Sequence, residues 1–432
     1  QHGSRSQRST LTQLLAHWDS VLDDLEDSEG VDALYLDFSK GYDKCETGVL
    51  LHKLKGANVS GKVGVWIAAF LNSAHRKQAV AVEGVMSALS PVISGVPQGT
   101  VIAPVLFLLM ISDIAREVSP STRVSSFVDD TRVKRGIKDV TTDCLALQSD
   151  LQAIYDWAED VGLEFNSKKF ECVRYWPGTE SPEQPYLSPV GTPIEEKSHL
   201  RDLGVELSDD CSFNIHIDNV VTSVSKLIGW VLRTFRSRSK LVMLTCWSSL
   251  LQSRLDYCSQ LWSPSDQASI TKLEAVARNF TCHIEGMEGM NYWERLKELN
   301  MYSQERRRER YIIIFIWKLA MGLVKGYTSI EFKYNMRRGW MAVPKNIVQG
   351  APACVKRARE SSLAVKGAAL FNMCPQGLRD MASDHQDRFK ENLDAWLHEI
   401  PDQPTIPGCS RAATSNSLLH QVPFMVQQFD NP

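Results

Sequence analysis

The stretch RVSSFVDDTRVKRGI (residues 123–137) sets two β-type runs on either side of an acidic pair, Asp129-Asp130. Val, Thr and Phe suit a pleated, half-buried strand, and Asp favours the turn between two such runs. Residues 123–128 and 132–137 therefore predict a β-hairpin with the carboxylates at its tip. A second run, VDALYLDF (31–38), is nearly all apolar and ends on Asp37, as a buried strand does. If the strand and the hairpin share one sheet, Asp37, Asp129 and Asp130 converge at one edge. Clustered carboxylates repel one another, and divalent cations relieve that repulsion. Mg²⁺ takes oxygen ligands and leaves room for phosphate oxygens. A pair of such ions can activate an attacking hydroxyl and stabilise a pyrophosphate leaving group. Taken alone, Asp-Asp-Thr reads first as a solvated turn, and a strand-ending Asp as readily as an N-cap or a solvated edge.

Outward from this centre the pattern is mixed. Leu11, Leu14, Leu15, Trp18, Leu22 and Leu25 step by three and four, which predicts a helix. Helices follow at about 47–55 and 61–73, then a strand at 78–85. Gly95 and Pro97-Gln98-Gly99 mark a loop before an apolar helix at 100–117. A helix at 140–161 and strands near 163–166 and 171–176 complete this half, and proline-rich 177–198 reads as a loop. From about 213 the expectation is helical only: 214–235, 239–255, 267–284, 291–299 and 303–324. The tail has its best helix near 384–399, and 401–432, rich in Pro and Ser, reads as loosely held. The fold class is α+β.

Composition narrows the function. The chain has 432 residues and a net charge of −3, yet residues 221–345 carry about +10. An acidic first half beside a basic second half suggests metal chemistry in one and nucleic-acid binding in the other. Ten cysteines are scattered without C-x-x-C spacing, against a zinc knuckle and in keeping with a reducing cytosol or nucleus. No apolar run approaches the ~20 residues of a membrane span. The polar start QHGSRSQRST, without Met, reads as a fragment's beginning.

The ordered motifs resemble those of reverse transcriptases. YLDFSKGYDK (35–44) looks like the family's motif A, SGVPQGT (94–100) like motif B, FVDD (127–130) like motif C, FNSKK (165–169) like motif D, and DLGV (202–205) like the primer grip. LDYCSQLW (255–262), NYWERLK (291–297) and the IPG…RAATSNSL tail are similar to jockey-like LINE (non-LTR) retrotransposons. The resemblance implies an RNA-directed DNA polymerase with a right-hand palm at 31–208 and a remnant of fingers at 1–30. A helical thumb at 209–345 and a partly flexible C-terminal extension at 346–432 would follow. It implies two Mg²⁺ ions (Mn²⁺ substituting) on Asp37, Asp129, Asp130 and the carbonyl of Phe38. Tyr42 would be the steric gate under the sugar, and Gln98 and Gly99 would line the template–nucleotide site. Lys169 would assist pyrophosphate departure, and Gly204 would turn the primer grip. RNA template, DNA primer and dNTP are the implied partners, in cytoplasm and nucleus, without a membrane.

Each residue also has a plainer reading: Tyr42 as a core aromatic, Gln98-Gly99 as a helix-entry loop, Lys169 as a solvated lysine, Gly204 as a turn glycine. Two basic clusters, Lys226/Arg233/Arg236/Arg238/Lys240 and Arg306/Arg307/Arg308/Arg310, are candidate phosphate tracks. Trp230, Trp247, Trp262 and Trp293 read as core. Departures from the family pattern include Ser4 for an expected Phe, Gln7 for Gly and Gly41 for Ala, a pattern of drift. A non-catalytic nucleic-acid-binding remnant is the alternative function, and a group II intron maturase a third.

Overall fold

The computed structural model describes residues 2–72, 74, 76–178, 180–404 and 416–423. Its contacts divide the chain into two compact units, one of residues 1–13 and 23–200, the other of 14–22 and 201–432.

The first unit is built on a five-stranded sheet. Its strands are β1 (Gly30–Leu36), β2 (Thr122–Phe127), β3 (Asp130–Ile137), β4 (Glu171–Tyr175) and β5 (Glu195–Glu196), in the order β2-β3-β1-β4-β5. β1 is central and antiparallel to both neighbours, Leu34 pairing with Val133 on one side and Cys172 on the other. Both faces of β1 are covered, which is why its sequence is an apolar run rather than an alternation. On one face Leu34, Leu36, Val133 and Cys172 join a core with Leu147, Leu151 and Ile154. These last three lie on one side of a helix (Val140–Asp160) that Asp139 caps by accepting the Thr142 amide at 2.8 Å.

Several elements differ from expectation. The strand at 78–85 is instead two small exposed pairings, Lys77–Gln78 with Ser90–Pro91 and Ala81–Val82 with Val85–Met86. The apolar helix is short, Ala103–Met110. Pro104 restricts its start to the first turn. Lys53 Nζ, donating to the Met110 carbonyl at 2.5 Å and Asp113 at 2.6 Å, closes its end. Residues 163–166 give only an isolated bridge, Phe38 to Phe165.

The second unit is mostly helical: Asn214–Thr234, Lys240–Cys246, Gln252–Asp256, Gln267–Thr281, Tyr292–Glu298, Gln304–Ala320 and Gln386–His398 are its main helices. It is not all-α, which corrects the helical-only expectation for 209–345. Glu331–Asn335 and Gly339–Val343 form a hairpin, Tyr334 opposite Trp340. The expected 239–255 helix is interrupted by a π turn at Trp247–Leu251. Of the tail, 405–415 and 424–432 lie outside the described residues. Asn416, Ser417 and Leu418 are buried, so this part of 401–432 is held, contrary to the sequence reading. Glu309 is the reason: it accepts the Ser417 hydroxyl at 2.5 Å and the Leu418 amide at 2.9 Å. Among the described residues no helix is long and apolar enough to cross a membrane.

Candidate active site

The register of β1 against β3 runs to Leu36 opposite Thr131. Asp37 and Asp130 are the next residues along the two chains beyond this last pair. β2 and β3 join through a two-residue loop, Val128-Asp129, with Phe127 paired to Asp130. All three carboxylates thus belong to one end of the sheet, the two hairpin residues adjoining the central strand.

A cation stands on one of them. Lys169 Nζ donates to Asp37 Oδ2 at 2.8 Å. The Lys169 ammonium is held above its usual range first by this bond and the Asp37 charge, then by Asp129 and Asp130. Its chain is placed by a 3-10 turn (Ser167–Lys169), itself positioned by the Asn166 amide donating to the Asp37 carbonyl at 2.8 Å. Among the described residues no group of three or more His, Cys, Asp or Glu stands ready to hold a metal. The donor chemistry nevertheless fits a hard cation: the side chains at this end of the sheet offer carboxylate oxygens, one of them already on a positive charge. Lys169 is largely exposed, so its flexible stem can withdraw into water.

Phe38 is buried, stacked on Phe165 at 4.5 Å. Its bridge to Phe165 uses the Asp37 carbonyl and the Ser39 amide. Phe38's own carbonyl therefore points to the opposite edge, the side of the hairpin.

Tyr42 is half-buried and lies flat on Phe107, centroids 4.5 Å apart and planes 14° from parallel. Burial, then the Asp129 charge, raises its phenol pKa. Gly41 eases this packing: a Cβ there would stand a tight 3.1 Å from Phe107 Cζ and 3.3 Å from Phe38 Cβ.

The 94–100 loop is pinned to the 41–45 segment. Val96 donates its amide to the Tyr42 carbonyl and Gly95 to the Cys45 carbonyl, each at 2.8 Å. Gly95 has φ +80°, and a Cβ would lie 2.7 Å from the Asp43 carbonyl. Gln98 Nε2 donates to Asp43 Oδ1 at 2.8 Å, and Gly99 takes φ +81° in open space. Arg76 Nη1 donates to the Gly95 carbonyl at 2.8 Å.

Residues 1–207 match the family model described as reverse transcriptase (RNA-dependent DNA polymerase). The chain carries a reverse transcriptase domain. It is 26% identical over 297 residues to the RNA-directed DNA polymerase from mobile element jockey of Drosophila melanogaster, covering 66% of this chain and 32% of that protein. It is 24% identical over 294 residues to the probable RNA-directed DNA polymerase from transposon X-element of the same fly, covering 67% and 32%. The chain thus spans about a third of these relatives' length. Among solved structures, telomerase from Candida albicans with a fragment of telomeric RNA is similar at TM-score 0.37 and 12% identity, over 66% of this chain and 52% of that one.

The reverse transcriptase domain brings Asp37, Phe38, Tyr42, Gln98, Asp129, Asp130 and Lys169 into one unit. Gly204 belongs to the second unit, where Leu203 (φ +44°) and Gly204 (φ +87°) turn the hairpin of His199–Asp202 and Val205–Ser208. Sequence reading missed what supports these residues. Tyr257 Oη donates to the Leu203 carbonyl at 2.7 Å, and its ring lies 3.2 Å from where a Gly204 Cβ would be. Asp43, Arg76 and Phe107 gave no local signal, since their partners are distant in sequence.

The basic clusters separate sharply. Arg306 and Arg308 are buried. Arg307 grips Asp256 at 2.8 Å and Arg310 grips Asp394 at 2.5 Å. This corrects the reading of the second cluster as a phosphate track. In the first cluster Arg238 bonds the Leu232 carbonyl at 2.7 Å and Lys240 pairs with Glu298 at 2.5 Å, whereas Lys226, Arg233 and Arg236 are exposed. Trp247 and Trp262 are core, but Trp230 is 46% exposed, a correction to its core assignment.

Proposed function

We propose that this chain is the polymerase core of a LINE-type retrotransposon, an RNA-directed DNA polymerase extending a DNA primer on an RNA template. In this reading residues 31–208 are the palm, 1–30 part of the fingers, 209–345 a mainly helical thumb and 346–432 a C-terminal extension. The protein works in the cytoplasm and nucleus. The observation that carries it is the Lys169 ammonium on Asp37 at 2.8 Å, at the end of the sheet where β1 stops and the hairpin turns through Asp129 and Asp130. Asp37, Asp129, Asp130 and the Phe38 carbonyl would hold two Mg²⁺ ions, or Mn²⁺ in their place. Such ions lower the pKa of the primer 3′-hydroxyl and neutralise developing charge on the phosphates.

The side chains supply the rest. Tyr42, flat on Phe107, presents a fixed ring edge to the sugar of an incoming dNTP and excludes a 2′-hydroxyl by contact. Gln98 and Gly99, pinned through Asp43, offer a loop backbone that a nucleotide can approach closely. Lys169, once displaced from Asp37 by a stronger cation, remains within reach to donate a proton to departing pyrophosphate. Gly204, at its Tyr257-braced turn, belongs to the primer grip. On the Asn214–Thr234 helix Lys226, Trp230 and Arg233 fall on one exposed side, suited to a phosphate backbone.

Primer extension on poly(rA)–oligo(dT) with Mg²⁺ or Mn²⁺ tests this, beside Asp129→Ala and Asp130→Ala. Extension abolished by both substitutions is the expected result. Template–primer binding without extension would instead make the chain a non-catalytic nucleic-acid-binding protein.

A further inference from the structure

Val128 is β-branched yet has φ +61°, at the first position of the two-residue loop that carries Asp129. Glycine is the usual occupant where such a loop needs positive φ. A bulky residue there is strained and persists only where its surroundings enforce it. Gly3 lies against this loop, and His2 pairs with the strand that leads into it.

β2 is an edge strand, and the His2 amide donates to the Ser126 carbonyl at 3.2 Å along its outer side. Gly3 then lies directly on the loop. A Cβ at Gly3 would stand 2.5 Å from Val128 Cγ2, 2.9 Å from Val128 N and 3.4 Å from the Phe127 carbonyl carbon. No side chain other than hydrogen fits between these backbones. His2 is itself anchored. Its Nδ1 is 2.9 Å from Thr12 Oγ1, whose own hydroxyl donates to the Ser9 carbonyl, so the imidazole is the donor. Burial, then nearby Arg8, pushes His2 down to about 4, which keeps it neutral at physiological pH. Thr12 is fixed in turn by the capping box with Ser9 that starts the Thr10–Asp27 helix.

We infer that His2–Gly3 is a clasp on the acidic turn, with Gly3 a positioning residue for Asp129. Force passes from the helix cap through Thr12 and His2 to Gly3, and from Gly3 to Val128. The side chain of Val128 is the part pressed, and Asp129 follows it in the chain. The clasp rests on the reading of Asp129 as a metal ligand. Groups that orient a ligand from behind commonly change metal affinity about 10–100-fold when altered.

Mn²⁺ affinity of the full chain, read by electron paramagnetic resonance of the free ion, tests the clasp without requiring turnover. Gly3→Ala should weaken Mn²⁺ binding about tenfold while circular dichroism stays that of the wild type. Adding Val128→Ala removes Cγ2, the nearest atom, and should restore part of the loss. Should Gly3→Ala fail to fold, Val128→Ala alone decides, because it leaves a gap under the clasp and should also weaken binding. A folded Gly3→Ala, or failing that a Val128→Ala, that binds Mn²⁺ within about twofold of wild type would overturn the clasp, provided Asp129→Ala abolishes binding. Wild type and Asp129→Ala binding alike would instead remove the metal-ligand reading, and the clasp with it.

Discussion

Ser4 stands where the resembling motif has Phe, and the structure gives that difference a volume. Ser4 borders a cavity of about 500 Å³ lined by Val105, Leu108, Leu109, Ile111 and Val124 among others. Ser4→Phe should place a ring against this apolar wall. Full burial of a Phe side chain is worth about 1.5–3 kcal/mol. Ser4 is exposed, so the cavity is open on its side, and about half of that is realistic. Fixing the ring's rotamer takes back about 0.5 kcal/mol. The backbone at Ser4 has φ +53°, a strain that Ser already bears. The net gain is about 0.3–1 kcal/mol, or roughly 0.5–4 °C in melting temperature for a unit of this size. Differential scanning calorimetry of Ser4→Phe beside Ser4→Ala measures it, with Ala expected to change little. A Phe variant that melts at or below wild type, or an Ala variant that gains as much, would refute the cavity argument.

Gln7, where the motif has Gly, sits at φ +60°, so Gln7→Gly should raise stability by about 0.5–1 kcal/mol in urea titration. Arg306 is buried and donates to the Leu397, Ile400, Pro401 and Asn416 carbonyls. Arg306→Ala should therefore cost about 3–5 kcal/mol and expose the tail to proteolysis, without altering the salt dependence of RNA binding. Lys226→Ala and Arg233→Ala should do the reverse, each lowering the slope of log K against log salt by about 1 at nearly unchanged stability. Burial, then Glu309, raises Glu305 from 4.5 to about 8. Its folded pKa lies above its unfolded one, so stability present below pH 4.5 is lost as pH rises through 8. Glu305→Gln should flatten that loss in melts taken from pH 5 to 9. His2 has the opposite sign: the first unit should lose stability as pH falls from 6.5 to about 4, and His2→Gln should blunt the loss.

What the sequence determined by itself were the local decisions. The apolar run ending on Asp37, the hairpin around Asp129-Asp130 and the helix capped by Asp139 each follow from side-chain period and turn chemistry within about twenty residues. The order of motifs carried the family. Tertiary structure decided what depends on partners far along the chain. Periodicity cannot say that the arginines at 306, 307, 308 and 310 are buried or paired, because Asp256, Asp394 and the tail carbonyls lie 51 to 110 residues away. It cannot say that Trp230, on the Asn214–Thr234 helix, faces outward while Trp262, in the turn after Gln252–Asp256, is buried, since neither indole's neighbours are local. The 331–343 hairpin escaped notice because five-residue strands beside helices carry little period of their own. Gly3 was visible only as a motif glycine. Its physical reason, the 2.5 Å that a Cβ would leave to Val128 Cγ2 across a 125-residue gap, exists only once the sheet has brought the two together.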